Sequence, residues 1–325
     1  MNSFGRIFRV SIFGESHGSG AGIVIDGCPP GIALAEEDFE KDLSRRRSGA
    51  DGTTPRKESD IPEILSGVYN GRTTGAPLTL FFRNSDTRSK DYEKFKILPR
   101  PGHADFTSQL KYKGFNDMRG SGHFSGRITV SVVAAGVIAK KILEGTEICA
   151  SLVEAGGNRN IEKAVAEAAA ENDSVGGIIE CTINNIKAGL GEPFFDSFEA
   201  CLSHILFSVP GIRGIEFGAG FRAAAMRGSA HNDSFMSDDG KTATNNHSGI
   251  NGGITNGNEI FFRVAVKPTS SIARTQKTFN MAKKEMDELQ AEGRHDTCFA
   301  LRVPPVIEAA AAIAAADLYL INKIF

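Results

Sequence analysis

Ile7-Phe8-Arg9-Val10-Ser11-Ile12-Phe13-Gly14-Glu15-Ser16-His17-Gly18 carries an alternating apolar run into a polar turn, and Ile23-Val24-Ile25 carries the chain out again. Alternation of this kind predicts a half-buried strand, and the second run predicts its partner. Between them a serine and a histidine lie among glycines, which let a backbone approach a ligand closely. An imidazole held there can give up a proton near neutral pH. The plain alternative is a hairpin whose histidine caps a carbonyl. Taken alone, the turn favours that alternative; the other polar loops reverse the balance.

With 325 residues, 41% of them hydrophobic, the chain can bury a large core. A net charge of −2 carries no nucleic-acid signature. Basic residues are concentrated between Lys41 and Arg127, where 17 Lys and Arg stand against 10 Asp and Glu, a balance of +7. Arginines outnumber lysines there and sit among glycines, which fits a small polyanionic ligand better than a polymer. Five cysteines without CxxC spacing argue for a reduced, cytoplasmic setting and against disulfides or structural zinc. No charged-then-apolar segment opens the sequence. Val306 to Phe325 is apolar enough to consider as a membrane span, but Glu308, Asp317 and the alanine content predict a packed helix and no membrane partner.

Further along, Glu36-Glu37-Asp38 open a short helix that runs into Arg45-Arg46-Arg47. Strands are expected over Glu63 to Tyr69, Leu78 to Phe82, Ile178 to Ile183, Ile215 to Phe217 and Ile260 to Val266. Helices are expected over Ile128 to Leu143, Ile161 to Asn172, Phe195 to Phe207 and Phe279 to Glu292, with the alanine-rich helix last. Asn84 to Asp105 and Gly228 to Gly257 read as long polar connections. Strand pairs and helices come in groups without βαβ alternation, so the fold class is α+β.

Four loop groups carry chemistry. His17 and Ser16 form the first. Arg100-Pro101-Gly102-His103-Ala104-Asp105 constrains a second histidine between a cation and a carboxylate. Arg119-Gly120-Ser121-Gly122-His123-Phe124-Ser125-Gly126-Arg127 opens the Ile128 helix and offers N–H groups, hydroxyls and guanidiniums to an anion. The fourth combines the Asn245 to Ile254 tract, Lys267-Pro268-Thr269-Ser270-Ser271 and Arg294-His295-Asp296. HxH and HExxH spacings are absent, so no metal site is expected. Each loop has a plain reading as a polar turn. Together they place arginines, histidines and hydroxyls where core elements end, as a site for a phosphate-bearing ligand requires.

These residues resemble chorismate synthase. The resemblance rests on Phe13-Gly14-Glu15-Ser16-His17-Gly18, Asp42-Leu43-Ser44-Arg45-Arg46-Arg47, Arg100 to Asp105, Ala188-Gly189-Leu190-Gly191-Glu192-Pro193, Gly252-Gly253-Ile254, Lys267 to Ser271 and Arg294 to Asp296. It runs in order along nearly the whole chain. It implies one large domain over 1–325, with helices sandwiched between antiparallel β-sheets, and a homotetramer. It also implies a 1,4-elimination of phosphate from 5-enolpyruvylshikimate-3-phosphate, giving chorismate, with reduced FMN and no net redox change.

By the resemblance His17 gives a proton to the leaving phosphate, His103 supports the reduced flavin, and Asp296 relays a proton beside it. Ser16, Arg46, Arg127 and Arg294 are the implied substrate contacts. FMN falls to His123, Phe124, Ser125, Gly252, Lys267, Pro268, Thr269, Ser270, Ser271 and Arg294. Arg46 also matches a nicotinamide-nucleotide position, relevant only to members that reduce their own flavin with NADPH. The family's Arg-Gly-Gly-Gly-Arg-Ser-Ser-Ala-Arg-Glu-Thr appears here from Arg119 to Thr129 with His123, Phe124 and Ile128 in place of an arginine, a serine and a glutamate. Two alternatives stay open: a flavin-dependent oxidoreductase on the same scaffold, or a binder of FMN or phosphate ligands impaired in catalysis.

Overall fold

The computed structural model describes residues 2–324 apart from Arg88, Glu292 and Arg294, with the backbone alone at 89–91. Its first half holds β1 (Ser3–Phe4), β2 (Arg9–Gly14), β3 (Gly20–Asp26), α1 (Glu40–Arg46), β4 (Glu63–Ser66), β5 (Val68–Tyr69), β6 (Arg72–Thr73), β7 (Leu78–Arg83), α2 (Asp105–Lys111) and α3 (Thr129–Ile142). The second half holds β8 (Glu147–Ala155), α4 (Ile161–Ala170), β9 (Gly177–Asn184), α5 (Phe198–Ser208), β10 (Ile212–Phe217), α6 (Gly228–His231), β11 (Ile250–Asn251), β12 (Ile254–Thr255), β13 (Ile260–Val266), β14 (Gln276–Asn280), β15 (Glu285–Leu289) and α7 (Pro304–Asn322).

Two antiparallel sheets form the outer layers, ordered β1-β2-β3-β7-β4 and β10-β13-β9-β8. In the first, Ile23 of β3 pairs with Ile12 and Leu80, so the alternating residues quoted at the outset turn one face inward. Ala21, Ile23, Ile25, Leu78, Leu80 and Phe82 are fully buried on that face. In the second, β13 alternates buried and half-buried residues along its whole length. Helix α3 packs on the first sheet, α7 and α5 on the second, and α3 and α7 against each other. The α+β sandwich expected from the sequence is therefore the observed fold.

Helix α7 begins with Pro304 and Pro305, which suit a first turn, and is covered by the rest of the chain from Pro304 to Leu318. Its two acids hold other elements. Glu308 accepts both guanidinium arms of Arg45 (2.8 and 2.7 Å), Lys140 Nζ (3.2 Å) and the Ala150 N–H (2.9 Å). Asp317 accepts the N–H groups of Arg6, Ile7 and Phe8, fixing the segment that leads into β2. Buried carboxylates persist when paired this fully.

Three expectations change. The charged segment after Phe279 is no helix: β14 and β15 form a hairpin across Met281 to Lys284. Asn280 accepts from the N–H groups of Ala282 and Lys283 (3.0 Å each), and Lys284 adopts φ +63°, so the turn is built from an Asx motif. The Lys283–Asp287 pair, which suggests helical i,i+4 spacing, lies across this turn. The edge strand β8 has no counterpart in the sequence reading. The connection expected over Asn84 to Asp105 contains a 3₁₀ segment, Ser89–Lys96, and ends where α2 begins.

A Cβ at Gly136 of α3 would lie 2.3 Å from Ala309 Cβ on α7, so these helices touch because neither carries bulk at the crossing. Gly136→Ala should destabilise the fold by about 1–3 kcal/mol through overpacking. Urea unfolding should show this as a lower midpoint at unchanged slope; an unchanged midpoint would contradict the crossing.

Candidate active site

Polar loops meet where β2, β7 and the segment before α3 come together. The turn between β2 and β3 is pinned by Ser16 N donating to Gly122 O (3.1 Å) and by Asn84 Nδ2 donating to the carbonyls of Glu15 and Gly18 (2.9 Å each). Gly120 faces this turn with φ +58°, and a Cβ on it would lie 2.4 Å from His17 Cδ2 and 2.7 Å from Ser16 Oγ. Only glycine admits that approach. The buried His17 ring also meets Tyr92 edge-on at 5.1 Å.

His103 reaches the same loop one residue later: its Nε2 lies 3.1 Å from Ser121 Oγ. Its Nδ1 lies 2.7 Å from Asp105 Oδ1 at the start of α2. Arg100 closes this group, donating to Asp105 through Nε and Nη2 (2.8 Å each) and to Ser271 Oγ (2.9 Å), with its cation 4.1 Å from the Phe95 ring centre. Burial would raise the Asp105 carboxyl, but the bonds from Arg100 and His103 hold it well below the usual carboxylate range. Burial lowers the His103 pKa, and the charges of Arg100 and Lys267 act in the same direction against Asp105.

Lys267 Nζ donates to Gly102 O (2.7 Å), and Ser270 Oγ donates to the same carbonyl (2.9 Å), so the segment after β13 lies on the His103 loop. Pro268 is exposed, and Ser271 is buried against Arg100. Thr269 Oγ1 is a buried hydroxyl without a partner among the described residues.

The arginines are mostly braced from within. Arg46 donates to Thr129 Oγ1, Asp60 and the carbonyls of Gly126 and Arg127, engaging four of its five N–H groups. Burial pushes its guanidinium down to about 9, with Asp60 opposing and Arg127, Arg302 and Arg56 adding, so it remains a cation at neutral pH. Arg127 donates to Asn84 Oδ1 (3.0 Å) and pairs with Asp60, which is buried at φ +51°. Arg56, which the sequence reading passed over, donates to Ser16 Oγ (2.8 Å) and Ser16 O (3.0 Å) and is backed by Glu58 (2.6 Å). Its signal was slight, a lone charged triplet after Pro55 with no periodicity.

Asp296 lies at the next border of the same region. It accepts the Thr54 N–H (2.9 Å) and both arms of Arg302 (2.9 and 2.8 Å), and Thr54 is two residues from Arg56. It makes no direct bond to either imidazole among the described contacts. His123 turns away: Nδ1 lies 2.8 Å from Gly14 O and Nε2 3.2 Å from Asn2 Oδ1. Phe124 is exposed against Tyr112, and Ser125 Oγ caps the Arg127 N–H (3.2 Å). Gly252 lies on the turn between β11 and β12 with φ +61° and open space where a side chain would stand, next to Gly253, which packs on Ser197. Arg294 lies outside the described residues.

A family model described as chorismate synthase matches residues 8–320. The chain belongs to the chorismate synthase family. A chorismate synthase from Chitinophaga pinensis is 58% identical over 324 residues, covering 99% of this chain and 98% of that relative. One from Dehalococcoides mccartyi is 44% identical over 351 residues, covering 98% and 96%. The solved "Crystal Structure of Chorismate Synthase" superposes with a TM-score of 0.76 at 26% identity, covering 98% of this chain and 93% of that one. The activity is that of the family: a carbon–oxygen lyase that eliminates phosphate from 5-enolpyruvylshikimate-3-phosphate to give chorismate in the shikimate pathway.

Asp105 ties this site to acid stability. Its folded pKa lies below the ordinary value of 3.8, so its contribution is complete above that value and is lost as pH falls through it toward the folded pKa. Asp105→Asn should lower the unfolding midpoint at pH 7 and flatten its decline between about pH 5 and 3. Parallel acid limbs in parent and variant would contradict this.

Proposed function

We propose that the elimination takes place where Gly120 and Ser121 bring His17 and His103 to one loop. That shared loop is the observation that carries the reading. Loss of phosphate is slow unless the departing oxygens receive a proton. His17 supplies it: the ring is buried, braced by Tyr92 and Gly120, and bordered by a positive rim. Arg56 presents the Ser16 hydroxyl toward the substrate, and the buried cations Arg46 and Arg127 favour its phosphate and carboxylates through the local field. Asp296, held by the Thr54 N–H and Arg302, relays a proton in this reading.

The family's cofactor fits the residues present. The Lys267 to Ser271 segment, with the unpartnered Thr269 hydroxyl, the Lys267 cation and the adjacent His103, offers a polar cradle for FMN. When bound, reduced FMN supplies electron density to the substrate and ends the cycle still reduced. His103 would take up a proton against the negative charge of the reduced ring. We assign no NADPH-dependent flavin reduction to this chain. We further propose a cytoplasmic homotetramer; the exposed Phe194, Phe195, Phe221, Phe235 and Met236 support an assembly of copies.

Anaerobic turnover with photoreduced FMN tests the reading. One phosphate should appear per chorismate with the reduced flavin undiminished; reductant consumed in step with product would favour net hydride transfer instead. His17→Ala should keep substrate binding and lose about 10²–10⁴-fold in phosphate release. Release near the parent rate would remove His17 from its role.

A further inference from the structure

Gly120, Ser121 and Gly122 follow one another at φ of 58°, 69° and 52°. Two are glycines, for which this backbone is ordinary. Ser121 is not, and a left-handed non-glycine residue beside a candidate site calls for a reason. Its side chain provides one: the hydroxyl lies 3.1 Å from His103 Nε2 and 3.3 Å from Arg100 Nη2.

His103 Nδ1 lies 2.7 Å from Asp105 Oδ1, which accepts, and 3.1 Å from Arg100 Nη2, which donates, so its neighbours suit either state of that nitrogen. A guanidinium only donates, so the Ser121 oxygen accepts from Arg100. The hydroxyl can then donate its hydrogen to a bare Nε2 or turn to accept from a protonated one.

We propose that Ser121 is a positioning residue for His103, its hydroxyl fixing Nε2 by donating to it or accepting from it as the protonation of the ring requires. This rests on reading His103 as a residue of the active site. The charged groups facing the ring are Asp105 from α2, Arg100 from the turn before it and Lys267 from the segment after β13. Two cations against one carboxylate favour the neutral ring. When a negative group arrives and the ring is protonated, Nε2–H becomes the donor. The Ser121 hydroxyl must then rotate to accept. One rotatable hydrogen thus serves both protonation states without moving either ring. Because Gly120 lies against His17, loosening this residue would reach both imidazoles.

Ser121→Gly and Ser121→Ala, followed by NMR titration of isotopically labelled histidine in the full-length protein without added ligand, test the assignment. The glycine variant relieves the backbone, so it should fold at least as well as the parent. The parent should show one tautomer at His103. In both variants the ring should sample both, since the partner that fixed Nε2 is gone. Phosphate release should fall about 5–10-fold in kcat at unchanged KM. An unchanged tautomer in both variants would overturn the assignment. Parent enzyme that released no phosphate would count against the proposed function alone, because the titration decides the role of Ser121 independently.

Discussion

The missing side chain of Gly120 is the constraint on which the site depends. The turn that ends β2 and the loop that leads into α3 come close enough for Ser16 to donate to Gly122, and a single methyl at position 120 would occupy the space of the His17 ring. The sandwich sets up this approach. Helix α3 lies on the sheet containing β2, so the loop entering α3 must cross the end of that strand. The next residue, Ser121, meets His103. A backbone stretch of two residues therefore couples two imidazoles whose loops are some 85 positions apart in sequence.

Electrostatics completes the site by bracing cations instead of leaving them loose. Asp60 stands between Arg46 and Arg127, Glu58 behind Arg56, and Asp296 against Arg302. Four guanidiniums against three carboxylates leave a net positive region with little freedom to rearrange. A preorganised field of this kind acts on developing charge without reorganising during the reaction. It also explains why the arginines look structural in isolation: their donors are engaged by neighbours.

Much of this was legible in the sequence. The alternation from Ile7 to Phe13, the Ile260 to Val266 strand and the alanine-rich last helix carry periodicities set by burial, and the structure reproduces them. The histidine loops were legible as candidates because glycine and proline crowd around polar groups. What failed was governed by tertiary contact. The β14–β15 hairpin carries charges at spacings a helix would also show, and its turn depends on the Asn280 side chain. Strand β8 alternates exposed Glu147, Cys149 and Ser151 with buried Ile148 and half-buried Ala150, but an apolar residue at exposed position 149 and the Leu152-Val153 pair blur this in the sequence. Arg56 and Asp60 gain their meaning only from partners far along the chain. His123 turns its ring nitrogens to Gly14 and Asn2, contacts that its place in a motif does not reveal.

The measurement that bears most directly on this account is phosphate release from 5-enolpyruvylshikimate-3-phosphate by Gly120→Ala, taken together with its thermal unfolding. Displacing His17 by about an ångström should lower turnover on the order of 100-fold while the fold is largely kept. Turnover close to that of the parent, with the protein intact, would show that the close approach of these two loops is not what makes the site work.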